Sequence, residues 1–303
     1  MLINSQLASL DGPQSNILNI GDNKLDNDTS NLLGGVTAFV EKPSPNDDRD
    51  AAALCQWAYD YYGEKVCYHE YHDWKILTDP SSIFGDKLKM QVNMSGFASL
   101  MFTKKVNGQE YFAYCTLGTQ MTSWADWFNN LSQGLTGFSP QYTRSVKNAK
   151  IINDVAIKRK AIVWFIGHSL GGGMASNNSI ITGKYAVTFD AAGLNILRVK
   201  MSMLMNIFYK NRQKAFFNYK GRTSKIHAYI LKGEILNRVL QFIGQKAYGD
   251  YGENNARIIK PDKEHIRALN TFKKHALTNL IDELNIPYNP KIDFFDFEKV
   301  SYC

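Results

Sequence analysis

The stretch AIVWFIGHSLGGGMASNNSIITGKYAVTF, residues 161–189, decides the fold class of this chain. It opens with a short run that is apolar at every position, as in a parallel strand buried on both faces. A glycine-rich turn follows, then small residues that predict a helix from Gly171 to Ile181, then a second strand from Tyr185 to Phe189. This βαβ order predicts an α/β fold, with a mostly parallel central sheet and helices on both faces.

The turn after the first strand, Gly167-His168-Ser169-Leu170-Gly171, matches the pattern G-x-S-x-G. In this sharp turn the serine takes a strained backbone conformation and projects its hydroxyl above the sheet, so Ser169 is the candidate nucleophile. Leu170 begins the helix, and its amide is expected to point toward the oxyanion that develops during acyl transfer. The alternative is a glycine-rich helix entry without catalytic meaning.

The segments before this unit are predicted to add a helix that packs on the sheet and two further strands. An amphipathic helix is predicted over residues 141–160. Two β-prone runs, residues 97–103 and 110–117, flank Asn107-Gly108, which favours a primed hairpin turn. Thr119 follows the second run, and its backbone amide is the candidate second oxyanion donor, although Gly118-Thr119 also suits an ordinary strand end.

The N-terminal region divides into two parts. Residues 1–46 are rich in Asn, Asp, Ser and Gly and predict a loosely ordered arm. A first core helix is predicted from Asp47, where acidic residues occupy the first turn. Residues 47–303 are therefore expected to form a single domain. Since no positively charged start precedes an apolar run, no secretory signal peptide is expected.

Charge is distributed unevenly along the chain. Residues 1–140 carry 9 Lys and Arg against 16 Asp and Glu, whereas residues 141–303 carry 26 against 12. Between residues 194 and 226 the sequence holds eight basic residues and no acidic one: Arg198, Lys200, Lys210, Arg212, Lys214, Lys220, Arg222 and Lys225. With the apolar MSMLMNIF among them, they predict contact with an anionic membrane surface, a solvated helix face being the alternative. No nucleic-acid reading module is recognisable, so nucleic acid is not an expected partner.

Four blocks of the chain, in order, resemble the class 3 lipases, a family of α/β-hydrolase acylglycerol lipases and phospholipases. They are SGFASLMFTKKVNGQEYFAYCTLGT, MTSWADWFNNL, GHSLGGG and YAVTFDAAG. The first resembles the family's hairpin and oxyanion block, with Leu117 in place of the usual arginine. The chain is most similar to bacterial lipase effectors of type VI secretion. That resemblance implies synthesis in the cytoplasm, export by a dedicated machine, action at a target-cell membrane and a neutralising immunity protein.

The proton acceptor is sought among the later histidines. In this fold the order along the chain is serine, acid, histidine, which leaves His227, His265 and His275. His275 resembles the late histidine of the family and is favoured over His265, whereas His227 precedes a β run and is expected to be structural. The ring of His168 is expected to point away from the chemistry.

Two carboxylates compete for the role of the acid. The run HAYILKG ends at Glu234, on the side of the sheet where catalytic groups of α/β folds collect, and Glu234 is the first choice. The family usually has aspartate there. Asp190, at the end of the strand after the nucleophile helix, is the alternative, because some lipases carry the acid on that strand.

A short aromatic helix is predicted directly after Thr119, because bulky residues recur at helical spacing: Trp124, Trp127, Phe128 and Leu131. In lipases this position can hold a lid over the nucleophile, and an aromatic core helix is the alternative.

Together these observations predict a serine hydrolase that cleaves lipid esters, as a phospholipase A or acylglycerol lipase, through an acyl-serine intermediate. No metal or cofactor is expected. The alternatives are a non-catalytic lipid- or protein-binding member of the same fold and a carboxylesterase of soluble substrates.

Overall fold

In the part of the chain that the structure describes, the central sheet has eight strands. The computed structural model describes residues 42–63, 70–92, 96–118, 139–194, 222–236 and 256–287. The strand order is β1-β3-β4-β5-β6-β7-β8, with β2 also paired to β3. The strands are β1 Lys75–Ile76, β2 Gln91–Val92, β3 Phe97–Val106, β4 Gln109–Thr116, β5 Ile162–His168, β6 Tyr185–Phe189, β7 Ile226–Leu231 and β8 Ala256–Ile259. Strands β4 to β8 run parallel, whereas β1, β2 and β4 pair antiparallel with β3.

Helices cover both faces of this sheet. They are α1 Pro45–Tyr62, α2 Ser81–Phe84, α3 Pro140–Arg159, α4 Leu170–Thr182, α5 Glu264–Arg267, α6 Thr271–Lys274 and α7 Leu277–Glu283. Strand β5 shows the alternation: Val163 and Phe165 belong to the apolar cluster that contains α3 and α4, whereas Trp164 lies in the cluster with α1 and α7. The predicted α/β architecture is therefore confirmed. Within the described residues, no helix combines the length and apolarity needed to cross a membrane.

The predicted βαβ unit is β5, α4 and β6. Strand β6 has the predicted bounds and pairs parallel with β5, from Trp164 opposite Tyr185 to His168 opposite Phe189. Helix α4 is one residue longer than predicted at each end. Its first turn packs against the end of β4, since a Cβ on Gly171 would lie 2.0 Å from the Thr116 carbonyl oxygen.

The hairpin of β3 and β4 is tighter than predicted. Asn107 and Gly108 have φ of 49° and 81° and form a two-residue turn, which confirms the primed turn expected for Asn-Gly. Because the turn uses only two residues, Lys104 and Lys105 pair with Tyr111 and Glu110, and β3 continues three residues beyond the predicted end.

Helix α1 begins two residues before the predicted Asp47. Ser44 is its N-cap: the Ser44 hydroxyl accepts a hydrogen bond from the Asp47 amide at 3.3 Å, and the Asp47 carboxylate accepts one from the Ser44 amide at 3.0 Å. Pro45 follows at the first helical position, where its missing N–H is no loss. The domain boundary predicted after residue 46 therefore falls inside α1. Residues 1–41, the rest of the predicted arm, lie outside the described residues.

Candidate active site

Ser169 occupies a strained turn between β5 and α4. Its φ and ψ are 59° and −129°, a combination that costs on the order of 1–3 kcal/mol for a residue with a side chain. Backbone hydrogen bonds hold it there: the Ser169 amide donates to the Phe189 carbonyl at 3.0 Å, and its own carbonyl accepts from Gly173 at 3.2 Å. Gly167 must lack a side chain, because a Cβ there would lie 2.4 Å from the Gly171 carbonyl oxygen.

His275 contacts the Ser169 hydroxyl. The distance from His275 Nε2 to Ser169 Oγ is 2.9 Å, and both side chains are buried. On its other side, His275 Nδ1 lies 2.8 Å from Glu234 Oε2. Because a carboxylate accepts hydrogen bonds, we assign the ring proton to Nδ1, which makes Nε2 the acceptor of the serine proton.

Glu234 reaches His275 from a tight turn after β7. The strand itself ends at Leu231, and Gly233, with φ of 90°, reverses the chain. The carboxylate is 1% exposed and also accepts a hydrogen bond from the Leu236 amide at 2.7 Å. Two donors therefore converge on one carboxylate oxygen and hold the side chain toward the imidazole.

Asp190 lies near the same imidazole but has a different set of contacts. It follows β6 with φ of 40°, and its Oδ1 accepts a hydrogen bond from the Leu231 amide at 2.7 Å. Its Oδ2 is buried without a hydrogen-bond partner. Burial first, and then the nearby Glu234 carboxylate, raise the pKa of Asp190 well above its usual value. The structure thus brings Glu234, and not Asp190, into hydrogen-bond contact with His275.

These groups collect at one edge of the sheet because consecutive parallel strands end there. Gly118 follows β4, Ser169 follows β5, Asp190 follows β6 and Glu234 lies just beyond β7. His275 comes instead from the connection between α6 and α7, and approaches this edge from outside the sheet. This is the edge at which α/β folds carry their ligands.

His168 is closer to the chemistry than expected. Its ring lies 4.8 Å from the His275 ring, and its Nε2 is 2.9 Å from the His275 carbonyl oxygen. The prediction that it points away is wrong in that respect, because His275 packs over the elbow, the sharp turn of residues 167–171 that carries Ser169. Its Nδ1 lies 3.1 Å from the hydroxyl of Tyr59, a residue of α1 that sequence reasoning did not single out. The helical pattern of α1 marks buried positions but cannot say which hydroxyl meets the elbow.

The other late histidines are engaged elsewhere. His227 Nδ1 contacts the buried Asp48 carboxylate at 3.0 Å, which agrees with its expected structural role. His265 pairs on the surface with Asp282 at 2.9 Å.

One cluster of potential metal ligands lies within the site. Among the described residues, His168, Asp190 and His275 each have a ligand atom within 4.8 Å of the others. However, both ring nitrogens of each histidine already meet protein groups. A cation there would have to break the contact of His275 with Ser169 or Glu234, or the contacts of His168. The geometry therefore favours acyl-transfer chemistry over a metal centre.

The remaining predicted site residues fall into two groups. Leu170 is the first residue of α4, as expected, and Leu117 is buried in the apolar cluster with α1 and α7. The other candidates lie outside the described residues: Thr119, Trp124, Trp127, Phe128, Leu131, Arg198 and Lys200.

Comparison with known proteins adds a family match to this geometry. A family model described as phospholipase-like, the Tle-like phospholipase domain, matches residues 51–279. An extracellular phospholipase A1 of Serratia liquefaciens is 32% identical over 185 residues, which are 59% of this chain and 53% of that protein. The chain thus spans about half the length of this relative. Among solved structures, the thermostable carboxylesterase EstE1, cloned from a metagenomic library, aligns over 80% of this chain and 97% of its own, with TM-score 0.31 and 10% identity.

Proposed function

Since this chain belongs to the family of Tle-like phospholipase domains, we propose that it hydrolyses carboxylic esters of lipids through an acyl-serine intermediate. The observation that carries the proposal is the pair of contacts of His275. Its Nε2 lies 2.9 Å from the hydroxyl of a strained, positive-φ Ser169, and its Nδ1 lies 2.8 Å from Glu234. A nucleophile, a base and an orienting acid in hydrogen-bond contact are the requirements for acyl transfer.

In the first half of the reaction, Ser169 Oγ attacks the ester carbonyl carbon while its proton passes to His275 Nε2. Glu234 keeps the imidazole in the required tautomer and stabilises its charged form without taking the proton. The oxyanion of the tetrahedral intermediate accepts hydrogen bonds from the amides of Leu170, at the start of α4, and Thr119. When the intermediate collapses, the alcohol leaves with the proton from His275.

The second half regenerates the enzyme. A water molecule attacks the acyl-serine carbonyl and gives a proton to His275 Nε2, which then returns it to Ser169 Oγ as the fatty acid leaves. The site is suited to this sequence because Ser169, Glu234 and His275 are all at most 3% exposed, which strengthens each electrostatic contact.

The substrate class we propose is phospholipid, with acylglycerol as the second possibility from the resemblance to class 3 lipases. The extracellular phospholipase A1 that matches 59% of the chain supports the first. Mass spectrometry of the products from a defined phosphatidylcholine, phosphatidylglycerol and triglyceride tests this directly. We expect lysophospholipid and fatty acid from the wild type and none from Ser169→Ala.

The matched control is Ser176→Ala. This change removes a buried hydroxyl from α4, the helix that follows Ser169, where the Ser176 hydroxyl donates to the Gly172 carbonyl at 2.9 Å. This variant should hydrolyse lipid as the wild type does. Wild-type protein that neither cleaves any of the three lipids nor reacts with a fluorophosphonate probe would refute the proposed function and favour a non-catalytic lipid- or protein-binding role. Cleavage of a water-soluble ester alone would favour a soluble-ester carboxylesterase.

We also propose that the protein binds peripherally to a membrane surface and meets its lipid substrate there. The support is the positive net charge of residues 141–303, which hold 26 basic and 12 acidic residues. Arg198 and Lys200 are among the basic ones. In a vesicle co-sedimentation assay, the protein should bind phosphatidylglycerol vesicles more tightly than phosphatidylcholine vesicles, and salt should weaken the difference. Equal binding to both would contradict it. Export by a dedicated machine, an immunity partner and a lid formed by Trp124, Trp127, Phe128 and Leu131 stay predictions of the sequence.

A further inference from the structure

A chain of hydrogen bonds runs beneath the site from the end of β4 to the backbone of His275. It begins at the Gly118 amide, which donates to the Tyr59 hydroxyl oxygen at 3.0 Å. The Tyr59 hydroxyl meets His168 Nδ1 at 3.1 Å, and His168 Nε2 meets the His275 carbonyl at 2.9 Å. Each bond joins residues that are distant in sequence, so this series of hydrogen bonds forms only in the folded protein.

The proton positions in this chain follow from the chemistry of its ends. A carbonyl oxygen can only accept, so the hydrogen of the His168 ring must sit on Nε2. Burial, and then the neighbouring His275, lower the pKa of His168 to about 3, so its ring is neutral near pH 7. Its Nδ1 is therefore an acceptor, and the Tyr59 hydroxyl is the donor. Burial raises the pKa of Tyr59, which keeps this proton on the phenol.

The donor and the acceptor of each hydrogen bond in this series are thus determined. The Gly118 amide donates to Tyr59, Tyr59 donates to His168, and His168 donates to the His275 carbonyl. Close approach at the first bond requires glycine, because a Cβ on Gly118 would lie 2.9 Å from the Tyr59 hydroxyl and 3.2 Å from Ser169 Cβ.

His275 depends on such a tether more than the other groups do. Ser169 and Asp190 stand at the ends of sheet strands, whereas His275 lies between two short helices of four and seven residues. The bond from His168 connects its backbone directly to the residue that precedes Ser169. On the other side, the Tyr59 hydroxyl links the His168 ring to the amide of Gly118, the residue that precedes Thr119.

We propose that Tyr59 and His168 are positioning residues that set the distance between the proton acceptor His275 and the oxyanion side of the site at β4. This inference rests on the proposed function. An error of about 1 Å in such a constellation can cost on the order of 100-fold in rate, so loss of the Tyr59 hydroxyl should slow the chemical step and leave binding unchanged.

The primary test is Tyr59→Phe, assayed on a short-chain p-nitrophenyl ester and with a trifluoromethyl ketone that forms a tetrahedral adduct with the serine. We expect kcat to fall by about 10- to 100-fold with KM within about twofold of the wild type. The inhibition constant of the ketone should rise by the same factor as kcat/KM falls, since both report the tetrahedral state.

Tyr62→Phe is the matched control. It removes a hydroxyl from the same helix, where Tyr62 donates to the Ser99 carbonyl at 2.8 Å, away from the His168 chain. It should leave kcat and ketone binding within about twofold of the wild type. If Tyr59→Phe behaves like Tyr62→Phe, with rates normalised to fluorophosphonate-titrated protein, the hydroxyl has only a packing role and the inference is overturned.

A second pair of variants decides the case if Tyr59→Phe does not fold. His168→Gln can still donate to the His275 carbonyl and accept from Tyr59, whereas His168→Leu, of similar volume, can do neither. We expect the glutamine variant to keep at least about tenfold more kcat than the leucine variant. Equal activities would overturn the positioning role. In both comparisons an active wild type separates failure of this inference from failure of the proposed function.

Discussion

At the scale of single residues, the environment of two carboxylates separates their roles. Glu234 accepts hydrogen bonds from His275 Nδ1 and the Leu236 amide, whereas Asp190 accepts one from the Leu231 amide and leaves its second oxygen unpartnered. Burial raises the pKa of Asp190 well above its usual value, which disfavours the charged form of this carboxyl group. Only a charged carboxylate stabilises the imidazolium that forms when His275 takes the serine proton.

This difference predicts unequal costs for two isosteric substitutions. Glu234→Gln should lower kcat by about 10³- to 10⁴-fold, because an amide can donate to Nδ1 and hold the wrong tautomer of His275. Asp190→Asn should lower it by less than about tenfold, because the amide oxygen can still accept from the Leu231 amide. Steady-state rates on a soluble ester, per fluorophosphonate-titrated site, measure both. A larger loss for Asp190→Asn would transfer the role of the acid to Asp190.

At the scale of elements, the position of the nucleophile depends on how closely α4 approaches β4 and β5. The glycines of the elbow allow this approach, and the Thr116 hydroxyl, at the end of β4, donates to the Gly171 carbonyl at 2.7 Å. The first turn of α4 therefore rests on the backbone of its neighbour without an intervening side chain. The motif thus specifies a packing distance as well as a local turn.

Gly171→Ala tests this contact. The added methyl would lie 2.0 Å from the Thr116 carbonyl oxygen, and backbone atoms cannot rotate away as a side chain can. The free energy of unfolding in urea should fall by about 2 kcal/mol or more. Ser176→Ala, in the same helix, should change it by less than about 1 kcal/mol. An unchanged stability of Gly171→Ala would mean that α4 and β4 can separate at little cost.

At the scale of the whole molecule, burial makes stability depend on pH through His168. This ring is enclosed by α1, the elbow and His275, and its pKa falls from 6.5 to about 3. Above pH 6.5 the ring is neutral in both the folded and the unfolded chain. As the pH falls from 6.5 toward 3, the unfolded chain gains a proton that the folded chain does not, so stability is lost.

We expect the free energy of unfolding to fall as the pH falls. Replacing His168 by a residue that does not titrate should make this fall smaller. Between pH 6 and pH 4, the wild type should lose about 1.4 kcal/mol per pH unit more than His168→Gln does. Urea unfolding at several pH values measures both slopes, and the other titrating groups are common to the two proteins. Parallel slopes would show that His168 titrates in the folded protein as it does in the unfolded chain.

Features encoded by neighbouring residues were predictable. The βαβ unit, the turn at Asn107-Gly108 and the bounds of β6 agree with the sequence prediction, because period, turn chemistry and helix entry act over a few positions. The start of α1 was predicted two residues late, because Ser44 and Asp47 form a capping box around Pro45. The resemblance to class 3 lipases supplied the choice of His275, which local pattern alone left open among three histidines.

By itself, then, the sequence determined an α/β fold with a serine raised on a strand-to-helix turn, since both depend on contacts within about thirty residues. Only the tertiary structure decided that Glu234 meets His275, and that Tyr59 and His168 connect β4 to the same histidine. The physical reason is separation along the chain: the bonds of His275 join residues 41, 106 and 107 positions apart. Their partners are selected by how the helices pack on the sheet, which no local pattern encodes.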